Sequence, residues 1–285
     1  MSLFSKLRRG GLGRASALVA GCVALALPSA SFARNSSSDY LATLALYSAA
    51  QQKPDFSGCL EVFPSKTPMP LQAVPAPWQA RALCSDSFAV IYSALSKTPL
   101  VVIERLSKAQ LEDAADEKRT DKFYPDPRLP FGSRAELSDF KGSGLDRGHM
   151  SPAANQPTAQ AMTQSFALSN MVPQNPANNQ RIWAKIESDV RKYSRRATGN
   201  LYVFSGPLFD AGYATAGANR VWVPSRLFKL VYDEDTQKAW AYILPNAEVR
   251  VGPPVDYATF VQQTGWQFLA GVSVRGTVAP PRNAR

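Results

Sequence analysis

The chain has 285 residues, of which 45% are hydrophobic and 10% aromatic, so it can bury a substantial core and is not a disordered protein. It carries 32 Lys and Arg against 22 Asp and Glu, which gives a formal net charge of +10. A basic surplus of this size suits a polyanionic partner such as nucleic acid or an acidic membrane face, although many basic proteins have neither partner.

The N-terminus predicts an export signal. A basic stretch, Lys6 to Arg14, precedes an apolar run from Ala15 to Leu27, and Ser31 to Ala33 offers small residues for cleavage. The apolar run is too short for a permanent membrane anchor. Residues 1–33 are therefore assigned to a signal peptide, and the protein is expected to be periplasmic or secreted. Two alternatives stay open: a lipoprotein attached through Cys22, and a mitochondrial protein, because the leader is basic and acid-free.

Residues 34–86 are predicted to be a proline-rich N-terminal extension. Within it, residues 39–52 fit a short helix, and residues 54–77 should lie as extended loop over the body of the protein. Cleavage of the leader leaves two cysteines, Cys59 and Cys84, and in an oxidising compartment they would form a disulfide worth roughly 3 kcal/mol. Two buried free thiols are the alternative. With one histidine in the chain, a zinc site of the usual ligands is poorly supported.

A folded domain is predicted over residues 87–272, with a flexible tail at 273–285. Apolar runs bounded by turn residues indicate strands. The predicted strands are 88–92, 99–106, 201–205, 221–224, 228–232 and 239–244. Residues 107–122 should be helical or solvent-exposed, and residues 123–144, rich in Pro, Gly, Ser and Asp, should form a long loop.

The one histidine of the chain, His149, follows this loop. Imidazole transfers protons near neutral pH without a perturbed pKa, so His149 is the first candidate for acid–base chemistry. Its neighbours strengthen the case: Gly148 allows a tight bend, Asp146 can orient one ring nitrogen, and Arg147 brings a positive charge. The alternative, a histidine satisfied at a strand end, is outweighed by these neighbours.

A second polar segment, residues 168–187, leads into a helical pattern that begins at Asn179. On an ideal α-helix Asn179 and Glu187 lie about 80° apart, so an amide oxygen and a carboxylate are presented along one side. An amide oxygen is a hard ligand suited to Mg²⁺, and the carboxylate could hold one of its waters. Arg191 could pair with Glu187 or reach a phosphate. Alternatively, the asparagine caps the helix and Glu187–Arg191 is an ordinary surface ion pair.

Three motifs, taken in order and spacing, carry a resemblance to a known family. They are Asp146-Arg147-Gly148-His149, then the run from Leu168 to Gln174, then Asn179-Gln180-Arg181-Ile182-Trp183 with Glu187. Together they resemble the DNA/RNA non-specific endonucleases, the ββα-metal nucleases of the Serratia nuclease and endonuclease G type. The resemblance covers about residues 88–244.

The resemblance implies an α+β fold with a central, largely antiparallel sheet, packed helices and a ββα-metal (His-Me finger) unit over about residues 145–195. It implies a Mg²⁺-dependent, sugar-non-specific endonuclease that cuts DNA and RNA and leaves 5′-phosphate ends, with Mn²⁺ as an alternative ion. A homodimer is compatible with the family. Preference between DNA and RNA, and the biological role, are not implied.

Residue roles follow from the same resemblance. His149 would be the general base, Asn179 the protein ligand of the metal, and Glu187 the anchor of a metal-bound water. Arg105 would lie near the scissile phosphate. The residues implied to support the site or to contact substrate phosphate are Asp146, Arg147, Asn170 and Arg191. If Arg105 lies on a strand it shares a face with apolar residues, so either a substrate phosphate or a structural carboxylate should lie beside it.

Outside these motifs, a basic surface near the end of the predicted helix is a candidate stripe for the nucleic-acid backbone, or simply a solvated helix end. Its residues are Lys185, Arg191, Lys192, Arg195 and Arg196. Two other classes of function remain: an exported nucleic-acid-binding or uptake protein with a vestigial nuclease site, and a phosphodiesterase for small or lipid-linked diesters. The first is disfavoured because the base, ligand and arginine positions all hold workable residues.

Overall fold

A seven-stranded antiparallel sheet forms the centre of the protein, in a computed structural model that describes residues 53–278. The strands of this part of the chain are β1 (Ala80–Cys84), β2 (Phe88–Ser93), β3 (Thr98–Leu106), β4 (Asp146–His149), β5 (Met171–Gln174), β6 (Leu201–Leu208), β7 (Thr215–Ala216), β8 (Val221–Trp222), β9 (Arg226–Asp233), β10 (Lys238–Pro245) and β11 (Val255–Asp256). The sheet has the order β1-β2-β3-β6-β9-β10-β11, while β4 pairs with β5 and β7 with β8. The predicted α+β fold with a largely antiparallel sheet is confirmed.

Helices complete the fold on both sides of the sheet. They are α1 (Lys108–Asp113), α2 (Leu137–Phe140), α3 (Ala159–Ser165), α4 (Ala184–Ser194) and α5 (Tyr257–Thr264). Side chains cap three of them: the hydroxyls of Ser107 and Thr158 and the carboxylate of Asp256 each accept a bond from a backbone N–H in the first turn. A π-helical turn, Asn178–Trp183, runs directly into α4.

The sheet separates two apolar clusters, because successive side chains of a strand point to opposite faces. One face of β3 contributes Val101 and Ile103 to a cluster that the N-terminal segment and α5 cover. The opposite face contributes Val102 to a second cluster, against which α4 packs Ile186 and Val190. Full burial of one such side chain stabilises the fold by about 1.5–3 kcal/mol. Helix α4 is therefore held against the sheet by its apolar face, and its other faces are left to carry polar side chains.

All the predicted strands appear in the structure, although the strand predicted at 221–224 covers only Val221–Trp222. Strand β1 also joins the sheet, so the sheet begins inside the segment 34–86 that was assigned to an extension. The described part of the predicted flexible tail is hydrogen-bonded to the protein: the backbone N–H of Ala239 donates to the carbonyl of Gly276 at 2.9 Å. The short β4 and β5 were not predicted from the residue pattern, and only the ββα unit implied by the family resemblance anticipated strands in this region.

The proline-rich segment 54–77 wraps over one face of the sheet, as expected, but folds into short 3₁₀ turns in place of a fully extended loop. Its apolar side chains Phe56, Phe63 and Val74 are buried in the first cluster. The predicted signal peptide, Cys22, the predicted helix 39–52 and residues 279–285 lie outside the described residues. Between residues 53 and 278, no helix is long and apolar enough to cross a membrane.

A disulfide joins Cys59, in the wrapped segment, to Cys84 at the end of β1, across 25 residues. Replacing both with Ser should lower the free energy of unfolding by about 3 kcal/mol, because the unfolded chain regains the entropy of an open loop. Urea denaturation measures the change. Wild-type protein in excess reductant is the control and should show the same loss. Equal stability of oxidised wild type and double variant would contradict a stabilising role for the bond.

Candidate active site

A cleft of about 750 Å³ opens on the α4 side of the sheet, where β4 meets the π turn and α4. The lining residues that matter for its chemistry are Arg119, Phe123, Asp146, Arg147, His149, Asn179, Glu187 and Arg191. The cleft thus gathers motifs that are up to 72 residues apart in the sequence. Strand β4 and helix α4 form parts of its wall, and β5 pairs with β4. The two strands and the helix form the ββα arrangement that the resemblance implied for about residues 145–195.

Strand β4 approaches β5 so closely that only glycine fits at position 148. A Cβ atom there would lie 1.9 Å from Oε1 and 2.7 Å from Cβ of Gln174, inside van der Waals contact. The close approach sets the register in which His149 pairs with Met171. Buried Asn170 fixes the chain after His149: its Oδ1 accepts from the backbone N–H of Ser151, and its Nδ2 donates to the Ser151 carbonyl, both at 2.9 Å. Asn170 therefore supports the site and does not reach into the cleft.

The Gly148→Ala variant should be destabilised by about 1–3 kcal/mol and should lose most of its activity, because the methyl group forces β4 away from β5. Urea denaturation and plasmid cleavage give the two readouts. Gly252→Ala is the matched control, since a Cβ at Gly252 would meet no atom within 4 Å. If the two variants have equal stability, the close approach of β4 and β5 is not what requires glycine.

The imidazole of His149 lies in an aromatic frame. Its ring is perpendicular to Phe166 at a centroid distance of 4.9 Å and lies 5.6 Å from Phe123. Nε1 of Trp183 donates to the His149 carbonyl at 3.2 Å. Burial, reinforced by the charges of Arg119 and Arg147, lowers the pKa of His149 to about 3. The ring is therefore neutral at physiological pH, so one of its nitrogens keeps an unprotonated lone pair.

Asp146 does not orient the His149 ring, and this sequence expectation is corrected. Its Oδ2 accepts from Nδ2 of Asn179 at 2.8 Å and from Nε2 of Gln180 at 2.9 Å. A carboxylate only accepts hydrogen bonds, so it selects the nitrogen end of the Asn179 amide. The oxygen end is left for another partner. Asp146 thus orients the proposed metal ligand instead of the base.

Asn179 lies in the π turn and not on a regular α-helix, so the predicted angular relation between Asn179 and Glu187 does not apply as an α-helical geometry. The turn is fixed from below by fully buried Asn178, whose Nδ2 donates to the carbonyls of Pro245 at 2.9 Å and Ala247 at 3.0 Å. Such π turns carry an extra residue and are frequent at functional sites. Asn179 and Glu187 nevertheless line the same cleft.

Glu187 is a partly desolvated carboxyl on the cleft side of α4. Burial raises its pKa to about 7, although the charges of Lys229 and Arg191 oppose the shift. Its Oε1 is buried and has no hydrogen-bond partner among residues 53–278. No ion pair joins Glu187 to Arg191 in that range. The surface-pair alternative is therefore not what the structure shows.

Two buried charges under the cleft were not predicted. Glu104 accepts from Oγ of Ser151 at 2.9 Å and from Nδ2 of Asn155 at 3.1 Å, which ties the central sheet to the loop after His149. Lys229, only 1% exposed, donates to Oγ of Ser205 at 2.6 Å. Burial raises the pKa of Glu104 and lowers that of Lys229, while each charge stabilises the other. Through its bonds to Ser151 and Asn155, Glu104 fixes the loop that follows His149.

Arg105 lies away from the cleft, which corrects its expected position near the scissile phosphate. It follows Glu104 on β3, so its side chain points to the opposite face, where Nη1 lies 3.8 Å from Oε2 of Glu61. Of the two anions expected beside Arg105, the structure supplies the structural carboxylate. Arg119, which sequence analysis missed, lines the cleft instead, with its guanidinium 5.1 Å from the Phe166 ring centroid. Its polar loop offers no periodic signal.

Comparison with known proteins shows which family the chain belongs to. A family model described as DNA/RNA non-specific endonuclease matches residues 67–275. The chain belongs to this family. It is 37% identical over 177 residues to Nuclease EXOG, mitochondrial, of Xenopus laevis, covering 56% of this chain and 49% of that protein. It is 35% identical over 186 residues to Nuclease C1 of Cunninghamella echinulata, covering 60% of this chain and 73% of that protein.

The non-specific endonuclease fold is also seen in a solved structure of the EndoG/EndoGI complex, which concerns EndoG inhibition. The TM-score is 0.61 at 25% identity, covering 69% of this chain and 89% of the solved chain. The family resemblance predicted from the three motifs is thereby confirmed. The chain spans about half the length of the EXOG relatives it matches.

Proposed function

We propose that this non-specific endonuclease family member is a Mg²⁺-dependent enzyme that hydrolyses phosphodiester bonds in both DNA and RNA and leaves 5′-phosphate ends. The observation that carries the proposal is the cleft itself, in which a neutral imidazole faces the same cavity as an amide, a desolvated carboxyl and several arginines. Hydrolysis of a phosphodiester needs a base for the attacking water and positive charge for the phosphate.

The residues present fit a Mg²⁺ ion better than a zinc ion. Asp146 leaves the Asn179 oxygen free, and Oε1 of Glu187 lacks a partner among residues 53–278. No group of three or more His, Cys, Asp or Glu side chains in that range could hold a metal by itself. Mg²⁺ retains most of its waters and needs few protein ligands, and Mn²⁺ accepts the same donors. With Asn179 as its protein ligand and Glu187 holding one of its waters, Mg²⁺ would polarise the phosphate and stabilise the leaving oxygen.

The remaining chemistry belongs to the chain. The imidazole of His149 takes the proton from the attacking water, a contribution of about 10²- to 10⁴-fold for a general base. Arg119, Arg147 and Arg191 supply fixed positive charge to the phosphate. Because such contacts reach the backbone and not the base edges, cleavage should show little dependence on sequence.

We further propose export to the periplasm or the extracellular space as the leading localisation, since the Cys59–Cys84 disulfide suits an oxidising compartment. Endonuclease G, mitochondrial, of Homo sapiens is 34% identical over 197 residues, covering 63% of this chain and 65% of that protein, so a mitochondrial location stays an alternative. Fractionation of cells that make the full chain, with N-terminal sequencing of the product, distinguishes the two.

The test of the activity is cleavage of supercoiled plasmid and of RNA by protein that starts at Arg34, with Mg²⁺, with Mn²⁺ and with EDTA. Nicking of both polymers that EDTA abolishes is the expected result. Salt-sensitive DNA binding without cleavage in the presence of either ion would indicate a nucleic-acid-binding protein and not a nuclease. Cleavage of small diesters in preference to plasmid would indicate a phosphodiesterase.

A further inference from the structure

A second cavity, of about 420 Å³, lies on the other flank of α4 from the cleft. Its chemistry divides into an aromatic floor and a charged rim. The floor is made by Tyr193, Trp240 and Tyr242, and the rim carries Lys185, Asp189, Lys192 and Arg196. Cavities that hold small ligands commonly measure about 300–1,000 Å³, so this one has room for a single nucleotide.

The rim has an excess of positive charge. Asp189 lies 2.5 Å from Nζ of Lys185 and 3.7 Å from Nζ of Lys192, so one carboxylate is shared by two lysines. Arg196 is exposed and has no ion pair within residues 53–278. The three cations against one anion favour a ligand that brings negative charge, which a phosphate group does.

The floor offers aromatic surface for stacking. The rings of Tyr193 and Trp240 lie 4.9 Å apart between centroids, and the Tyr193 hydroxyl donates to Oδ2 of Asp233 at 2.8 Å, which holds that ring still. Trp240 is 3% exposed and closes the bottom, while Tyr242 is only partly buried. Aromatic side chains bind nucleobases by stacking without regard to base identity. Phosphate and base chemistry therefore meet in one cavity.

The position of the cavity on α4 relates it to the cleft. At 3.6 residues per turn, Lys185, Lys192 and Arg196 fall within about 40° of one another, whereas Glu187 and Arg191 lie about 120–160° from their mean direction, on the cleft flank. Arg195, exposed, projects between the two flanks. A helix with its side chains is about 10–12 Å wide, so a strand bound in the cleft reaches the cavity by crossing the outer surface of α4 with several further nucleotides.

We propose that this cavity is a second nucleic-acid-binding site, which takes one nucleotide from the single-stranded flank of a polynucleotide whose scissile phosphate lies in the cleft. The base stacks on Tyr193 and Tyr242, and its phosphate pairs with Lys192 and Arg196. The inference rests on the proposed nuclease function, and it assigns the substrate class: single-stranded segments long enough to span both flanks of α4.

The experiment compares Arg196→Glu with Arg81→Glu, an identical charge change at an exposed arginine of β1, outside both cavities. Steady-state cleavage is measured on single-stranded DNA of about 30 and about 6 nucleotides. Arg196→Glu should raise KM for the long strand by about fivefold or more, with kcat unchanged, and leave the short strand unaffected. The slope of log KM against log salt for the long strand should fall by about one.

Tyr242→Ala tests the stacking half of the proposal. It should raise KM for the long single strand by a similar factor and leave KM for duplex plasmid unchanged, because paired bases cannot enter the cavity. Equal KM values for Arg196→Glu and Arg81→Glu on the long strand would overturn the second site. If the wild type still cleaves the strand, the nuclease proposal is unaffected by that result. If the wild type cuts nothing, the nuclease proposal fails first, and fluorescence anisotropy of the labelled long strand with the same variants still tests the cavity.

Discussion

The His149→Ala variant should lower kcat for plasmid cleavage by about 10²- to 10⁴-fold, the usual contribution of a general base. The effect should fall on kcat, because the cleft arginines that are proposed to hold the phosphate remain in place. Initial rates at saturating plasmid and Mg²⁺ measure the loss. Plasmid binding in EDTA and the urea midpoint serve as controls and should change little. A variant that keeps more than about a tenth of wild-type kcat would remove His149 from the reaction.

The pH dependence of the same reaction follows from the electrostatics of the site. The pKa of His149 is lowered to about 3, so the base is deprotonated throughout the range from pH 5 to 8. An unperturbed imidazole would instead lose the base form below about pH 6.5. The wild-type rate should therefore show no acid limb that originates from His149. Any limb near pH 7 should belong to Glu187, whose carboxyl is protonated below its raised pKa of about 7.

The two origins of an acid limb can be separated by Mg²⁺. Protonation of Glu187 weakens the metal site, so higher Mg²⁺ should shift its limb to lower pH. Protonation of an imidazole base does not respond in this way. A limb near pH 6.5 that stays fixed as Mg²⁺ increases would mean that His149 titrates normally, and that burial does not depress its pKa in the working enzyme.

The sequence predicts the central sheet well, because long apolar runs leave few alternatives to buried strands. The short β4 and β5 escape this logic: β4 reads Asp146-Arg147-Gly148-His149, which has no apolar alternation, and its pairing depends on a glycine packed against Gln174. Local propensity carries little information about an element that tertiary contacts hold in place.

The candidate site divides in the same way. The motif resemblance correctly predicts that His149, Asn179 and Glu187 line one cleft, because the order and spacing of the motifs can be read from the sequence. It misses Arg119, which lies on a loop. It also places Arg105 in the site wrongly, because the side chain of Arg105 points to the opposite face of β3, towards Glu61. A shift of one residue along a strand reverses the face, so Glu104 enters the site region while its neighbour leaves it. Such choices depend on packing that a single sequence does not show.

Replacing Asn179 with Ala should have an effect on metal use comparable to the loss of the base. The Asn179 oxygen is the one neutral oxygen that the proposed Mg²⁺ site takes from the π turn, and Asp146 orients it by accepting from the amide nitrogen at 2.8 Å. Its removal should lower kcat by about 10²-fold or more and abolish saturation at millimolar Mg²⁺. Cleavage rates over a Mg²⁺ titration measure both quantities.

The variants Asp146→Ala and Gln180→Ala test whether Asp146 orients the Asn179 amide or only makes a contact beside it. Gln180→Ala removes one of the two bonds that Oδ2 of Asp146 accepts. Asp146→Ala removes both, and it alone frees the Asn179 amide to rotate. Loss of a residue that orients a metal ligand weakens metal binding by about 10- to 100-fold, so Asp146→Ala should need that much more Mg²⁺ for half-maximal rate. Gln180→Ala should stay within about threefold of wild type, because the bond that orients Asn179 remains. If Asn179→Ala saturates with Mg²⁺ as the wild type does, the metal is held elsewhere; if only Asp146→Ala does, the amide is oriented by the π turn alone.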